Sequence, residues 1–588
     1  MKKIALLIIA MLPVIATAQL ADTVQLPVIF PPQYTIYIAE NGNDLNAGDS
    51  LNPVATFTEA LNKLNTLTSA QSGEVYTEAV LFEGNYNFAL AQPINRYQVG
   101  NKNLNVSVRG KGEVILDGNG VSMSGGGGMV HLLGSHISVK NLNITYSPAN
   151  GVRFGFDYNG TVINPHDIWI DSVEVAQTGG HGIIVGIGEL NTANPFTLTP
   201  RAERFLISNC HVHDAVNFNT PQSQWGSSIK FHNVKHGTAI NCLVHDNSGE
   251  GIDADYCDYI EIANNELYDN YANVYLDKAE NCIVRNNLIY NINKNNNGML
   301  MGIEPSTGLI TDFFIKNIYI YNNIMLNTTG ISVWQGTYSA IQNGHFSNIN
   351  IQHNTIIGKQ IANGAAISFS YYTSLGQPGA NVLFSNLKIA RNIISAHRDS
   401  LNNGRLISSS LNPQPALTTE YNLYNMHPTI GYNSTSDRID SLLPVSIAHT
   451  QLEKLVPHRD SNALFVMNAP NDFPFENDFF TSNRFIDSTN VGAIELDTTT
   501  YTDSTIVSAM TLSKSEIKIY PNQVSSFINI QMEKEAEITI TDISGKMLHK
   551  ELLNTGNNII NTEALPCGLY LGIIQLKEEK YYFRFVKK

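Results

Sequence analysis

Seven segments of the sequence share one pattern: alternating apolar residues, a small polar residue, then a further short apolar stretch. They are LISNCHVHD from Leu206, AINCLVHDN from Ala239, EIANNELYDN from Glu261, IVRNNLIYN from Ile283, IYIYNNIMLN from Ile318, INIQHNTIIG from Ile349 and LKIARNIISA from Leu387. Weaker copies start at Ile137 and Ile168. Alignment puts Cys210, Cys242, Asn265, Asn287, Asn323, Asn354 and Asn392 in one column. The tightest spacings are 23 and 22 residues (242 to 265, 265 to 287), one coil of a parallel β-helix with three short strands. Longer intervals then carry loop insertions. Equivalent residues of successive coils stack ~4.8 Å apart, and stacked side-chain amides can both donate and accept along such a column.

Helical solenoids are excluded by the absence of long stretches with 3.6-residue periodicity, whereas β-branched residues at period two between Asn and Gly favour strands. The one helix predicted is FTEALNKLNTL, Phe57 to Leu67, placed to cap the open end of the solenoid, whose edge needs protection. The 588 residues are 43% hydrophobic and only 15% charged, against roughly a quarter charged in typical domains. Such a chain can bury a large core behind an uncharged polar surface.

MKKIALLIIAMLPVIATAQ opens with Lys2 and Lys3, an apolar run and Ala16-Thr17-Ala18. These are the three regions of a secretory signal peptide, predicted over residues 1–18. The run is too short for a transmembrane span, so an exported, soluble product is expected. Net charge is -15 without a basic block, which argues against nucleic acid and anionic membranes. An anionic ligand would need local cations. The five cysteines, Cys210, Cys242, Cys257, Cys282 and Cys567, are odd in number and lack CxxC spacing. Small buried core residues are expected in preference to a disulfide framework or a zinc site.

IYIAENGNDLNAGDSLNPVATFTEALNKLN, from Ile36, resembles the opening of secreted right-handed β-helix proteins of the pectate-lyase-like superfamily, and STNVGAIEL, Ser488 to Leu496, resembles the end of that domain. The resemblance implies a β-helix over residues 33–496. It is specific for architecture, since many chemistries share the scaffold. A Thr/Ser-rich linker, 497–513, follows. Residues 514–588 then alternate at period two between turn signals, which predicts a small β-sandwich. Tyr520-Pro521-Asn522, Asp542-Ile543-Ser544-Gly545-Lys546, Leu565-Pro566-Cys567-Gly568-Leu569-Tyr570 and Lys587-Lys588 resemble the C-terminal sorting domain of the type IX secretion system of Bacteroidota. That resemblance implies the type IX machinery as a partner and delivery to the cell surface or the medium. The expected fold class is therefore all-β: a right-handed parallel β-helix followed by a small C-terminal β-sandwich, as a monomer.

The candidate site comes from superposing SSIKFH (Ser227–His232), GIDAD (Gly251–Asp255) and NVYLD (Asn273–Asp277). Ile229, Phe231, Ile252, Ala254, Val274 and Leu276 then point inward, and the alternating residues point out. One outward row is Lys230, Asp253, Tyr275, and its neighbour is His232, Asp255, Asp277. Two aspartates stacked ~5 Å apart repel by roughly 3 kcal/mol at an effective dielectric of 20, so a cation, a proton, His232 or Lys230 should compensate. Calcium-dependent lyases of the superfamily carry outward aspartates, a metal that neutralises a uronate and a basic residue that takes the adjacent proton. The resemblance in chemistry makes Lys230 the candidate base and Asp253, Asp255 and Asp277 candidate Ca²⁺ ligands. His232 is a helper or alternative base. Lys278 and Arg285 are reserves for substrate charge, and Trp225, Tyr275 and Trp334 are candidate sugar contacts.

Two other motifs were weighed. His211 and His213 of HVHD share a face, but no further metal ligand is evident, and His245-Asp246 repeats the pattern as ladder polarity. Gly180-His181-Gly182 is similar to the Gly-His-Gly of polygalacturonase-type hydrolases, yet the paired Asp and Arg-Ile-Lys of that family do not follow in order. Two functions stay open. The first, favoured by the clustered ionisable groups, is an enzyme acting on extracellular polysaccharide, a calcium-assisted lyase of uronate-containing glycans or an inverting hydrolase using paired Asp. The second, favoured by the lack of a complete catalytic motif, is a non-catalytic adhesin or glycan-binding scaffold.

Overall fold

The computed structural model describes residues 24–439 and 517–587 apart from connecting segments, the longest being 187–201. The expected signal peptide, the linker, the STNVGAIEL segment, Trp225 and Cys567 lie outside the described residues.

The repeat folds as its spacing predicts. One coil consists of strands Ser227–His232, Val234–Ile240 and Leu243–His245. The next two are Glu250–Asp255, Asp258–Ala263 and Glu266–Tyr268, then Ala272–Asp277, Glu280–Arg285 and Leu288–Tyr290. Each strand pairs in parallel with its counterpart one coil away. The first strands of the coils build one parallel sheet of 11 strands among the described residues, and the other two build a second sheet. Ile229, Phe231, Ile252, Ala254, Val274 and Leu276 are fully buried in the single core between them. Filling most inward positions with Ile, Val, Leu, Phe or Met contributes about 1.5–3 kcal/mol per large side chain removed from water.

The asparagine column is a hydrogen-bonded ladder. Asn265 Oδ1 accepts from Cys242 N at 2.8 Å, and Asn287 Oδ1 accepts from the backbone N and side-chain Nδ2 of Asn265 at 2.9 and 3.0 Å. The same pair of bonds links Asn287 to Asn323, Asn323 to Asn354 and Asn354 to Asn392. It continues beyond the aligned copies to Asn422 and ends on Asp437. The residue before each column position has φ between 53° and 58°, from Asn209 and Asn241 to Arg391. Asparagine tolerates that left-handed conformation better than other non-glycine residues, which is why so many of these turns read Asn-Asn.

Helix Phe57–Leu67 starts where expected: the Thr56 hydroxyl accepts from Glu59 N at 3.1 Å, a capping bond. Its buried face, Phe57, Ala60, Leu61 and Leu64, packs on the first strands Tyr34–Ile38 and Gly73–Tyr86 and joins the main core. Cys210, Cys242, Cys257 and Cys282 are free and buried, as core packing requires. The C-terminal unit forms a three-stranded and a five-stranded sheet around its own core of Ile528, Ile530, Ile538, Ile540, Ile560 and Ile574.

Candidate functional site

The outward rows are in the register that period two dictates. Lys230 pairs with Asp253 and Asp253 with Tyr275, while His232 pairs with Asp255 and Asp255 with Asp277. Continuing the second row, Asp277 faces Gly302 and Gly302 faces Trp334. The Trp334 indole and the Tyr275 hydroxyl both lie over Gly302, where a Cβ would come within 2.6 Å of each. Glycine there lets the two aromatic residues meet beside the charged groups.

The ionisable side chains form one network. Lys230 Nζ lies 2.8 Å from Asp253 Oδ2 and 3.4 Å from Asp255 Oδ2. Lys278 Nζ lies 2.6 Å from Asp277 Oδ2 and 3.9 Å from Asp255 Oδ1. Lys278 reaches them because it follows Asp277 with φ 50°, a left-handed turn that folds its side chain back over the row and over the Tyr256 ring, 4.5 Å away. His232 Nδ1 is 3.0 Å from Asp255 Oδ2. Burial raises the Asp255 pKa, but Lys230, Lys278 and His232 outweigh it and hold this carboxylate ionised, well below the usual range. Only the imidazole can then donate in the His232–Asp255 bond, which turns the other ring nitrogen into a base.

Two expected roles change on this geometry. Lys230 was the candidate base. Burial favours its neutral form, but Asp253 and Asp255 prevail and raise its pKa well above the usual lysine value. An ammonium so held has no lone pair to accept a proton. Asp253, Asp255 and Asp277 were the candidate Ca²⁺ ligands. One oxygen of each, Oδ2, is paired with Lys230 or Lys278, and among the described residues the three do not form a group whose ligand atoms converge within 4.8 Å. The set as folded does not fit Ca²⁺. The repulsion between stacked aspartates is instead offset by two lysines.

Arg285 does not join the site. It lies on another strand, Glu280–Arg285, bound to Glu261 at 2.6 Å. Three residues do join that were not singled out for this site. Ser227 Oγ stands 3.2 Å from Glu250 Oε2 and 3.1 Å from Asp253 Oδ2, and so brings the two carboxyls together. Burial, then the neighbouring Asp253, push the Glu250 pKa up to about 8, so it carries a proton at neutral pH. Strand alternation alone would have put Glu250, in register with Ser227, on the inward side with Ile252, so only the fold shows it at the patch. His181, set aside with its Gly-His-Gly motif, is half-buried against this patch and accepts from Ser227 N at 2.9 Å. Burial and then Lys230 lower its pKa to about 3, which keeps it neutral. Asp253 Oδ1 is buried without a hydrogen-bond partner among the described residues, an acceptor that a ligand hydroxyl could satisfy.

Comparison with known proteins agrees with this architecture. Residues 119–303 match the family model described as the right handed beta helix region, and residues 518–588 match the secretion system C-terminal sorting domain. The chain carries a right-handed β-helix domain and a secretion-system sorting domain. The β-helix protein is thus sorted for export by the type IX system to the cell surface or the medium. No helix among its described residues is long and apolar enough to cross a membrane. No curated protein matches the β-helix protein. Among solved structures it is similar to XylC in complex with xylose, at 10% identity and a TM-score of 0.37, over 90% of this chain and 100% of that one. It is also similar to the A-module of the mannuronan C-5 epimerase AlgE4 of Azotobacter vinelandii, at 12% identity and 0.36, over 69% and 100% of the two chains. A third is the alginate lyase of Paenibacillus sp. str. FPU-7, at 12% and 0.29, over 60% and 98%. None of these identities or scores reaches the level at which a shared activity follows.

Proposed function

We propose that the charged face of the 11-stranded sheet binds an extracellular uronate-containing polysaccharide and cleaves it by β-elimination. The observation that carries this is the joint presence of a cation, a base and a protonated acid in one hydrogen-bonded network. Lys230 neutralises the uronate carboxylate and so acidifies the adjacent C5 proton. His232, oriented by Asp255, takes that proton. The electron pair forms the C4=C5 double bond as the C4–O bond breaks, and Glu250 donates its proton to the departing oxygen. Trp334, half-buried, offers a face on which a neighbouring sugar ring stacks, while Tyr275, buried, backs it across Gly302. No step passes through calcium.

A second reading has its own support. Glu250 is protonated and Asp255 ionised in the same patch, the divided state that acid–base hydrolysis of a glycoside uses. One experiment separates the readings: incubation of the purified protein with a panel of uronate and neutral polysaccharides, with chelator or with added calcium. Elimination yields unsaturated, ultraviolet-absorbing products, whereas hydrolysis yields new reducing ends without that absorbance. Loss of product in both His232→Gln and Lys230→Ala supports the site, and full activity in both overturns it. Activity abolished by chelator and restored by calcium would return the metal to Asp253, Asp255 and Asp277. Binding without any cleavage would leave the adhesin or scaffold function.

A further inference from the structure

We propose that Glu174, His211 and His213 form a surface site for a divalent transition metal ion, best matched by Zn²⁺, on the other sheet from the charged patch. Val175, Val212 and Val244 point into the core, so their alternating neighbours point out. Glu174 pairs with His211 across one coil boundary, and His213 with His245 across the next. The sequence spacing of His211 and His213 offered two ligands, and the stacking of coils adds the third from a residue 37 positions earlier (211 minus 174). Glu174 Oε1 lies 3.4 Å from His213 Nε2 and 3.9 Å from His211 Nδ1. Two ligand atoms each ~2.0–2.1 Å from a tetrahedral zinc stand ~3.3 Å apart, and the three ligand atoms here lie within 4.8 Å of one another, so rotation of partly exposed side chains closes the site.

The second independent observation is the shell behind these atoms. A metal-binding imidazole usually donates its other N–H to an acceptor, which fixes the tautomer and the ring orientation. His213 Nδ1 lies 2.9 Å from Asp214 Oδ2, leaving Nε2 toward Glu174. His211 Nε2 lies 2.8 Å from His245 Nε2, leaving Nδ1 toward Glu174. His245 is itself held by Asp246, 2.8 Å from its Nδ1, and therefore presents an acceptor to His211. Asp214 is the outer partner of His213, and Asp246 holds the His245 that partners His211, so the pattern has a role beyond ladder polarity. Glu174, His211 and His213 are 39%, 23% and 20% exposed, leaving a fourth position open to water or a ligand. The cluster His136, His166 and Asp167 provides the contrast. There Arg204 donates twice to Asp167, at 2.8 and 2.9 Å, and Val28 N donates at 2.9 Å, so its carboxylate anchors the N-terminal segment and has no oxygen to give.

The test uses the untagged exported chain titrated with ZnCl₂ by calorimetry and with CoCl₂ by visible absorption. One ion per chain and the intense bands of a low-symmetry four-coordinate cobalt are expected. His213→Gln and Glu174→Gln should each weaken Zn²⁺ binding at least tenfold. Asp214→Asn should weaken it about 10-fold through the outer shell. His549→Gln, in the tail, should leave it unchanged. Circular dichroism of each variant separates loss of a ligand from loss of fold. Absence of saturable binding, or equal affinity in wild type, His213→Gln and Glu174→Gln, would overturn the site.

Discussion

At the scale of single residues, the patch is held by charges that are costly apart and tolerable together. Lys278 is 5% exposed and holds Asp277, itself 6% exposed. Removing one partner of a buried pair leaves the other charge uncompensated, which costs about 3–5 kcal/mol. Lys278→Met should lower stability by that order in chemical denaturation, and adding Asp277→Asn should restore much of it. Glu250 sets a pH dependence. Its folded pKa, about 8, lies above the ordinary value of 4.5, so the folded state keeps a proton that the unfolded chain has released. Its contribution is complete below ~4.5 and is lost as pH rises through ~8. The melting temperature of wild type should therefore fall relative to Glu250→Gln between ~pH 5 and ~pH 8. A difference that stays constant over that window would show that Glu250 is ionised throughout. Of these residues the rows were legible, because strand alternation leaves no choice once Ile229, Ile252 and Val274 are inside. Lys278 in its pairing role was not, because a φ of 50° in a turn redirects its side chain across the strand.

At the scale of elements, the asparagine ladder and the strands depend on each other. The Asn287 side chain makes four bonds: it accepts from Asn265 N and Nδ2 and donates to Ile262 O and to Asn323 Oδ1. Asn287→Ala strands several buried partners at about 1–3 kcal/mol each before relaxation. A loss of about 2–4 kcal/mol in urea denaturation is expected. Asn281→Ala, which removes two half-buried bonds on the outer face, to Asp258 and from Asn317, should cost about 1 kcal/mol, because water can replace the lost partners there. Equal losses in the two variants would contradict the ladder's role. The existence and spacing of these elements could be read from the sequence, as could the bounds of helix Phe57–Leu67. The outer asparagine pairs Asn281–Asn317 and Asn317–Asn348 keep the same intervals as the column, 36 and 31 residues, and lay within reach of the same alignment.

At the scale of the whole molecule, two units carry separate tasks. The C-terminal unit has its own core and matches the sorting domain over residues 518–588. Deleting those residues should leave the β-helix folded but retained in the periplasm, as fractionation of the producing cell would show. Cys210, Cys242, Cys257 and Cys282 are buried in the solenoid, so a thiol reagent should modify them only after denaturation. What the sequence determined by itself is everything set by local periodicity: the coil length, the inward and outward rows, the asparagine column and the sorting tail. Such features repeat along the chain, and alternation or spacing alone carries them. Tertiary structure decided which charges meet. Glu250 with Asp253, Lys278 with Asp255, and Glu174 with His211 and His213 come together through left-handed turns and through stacking of coils whose loops differ in length. The physical reason is that strand period fixes the side of the sheet on which a residue stands, while the neighbours above and below depend on how many residues each coil takes to return.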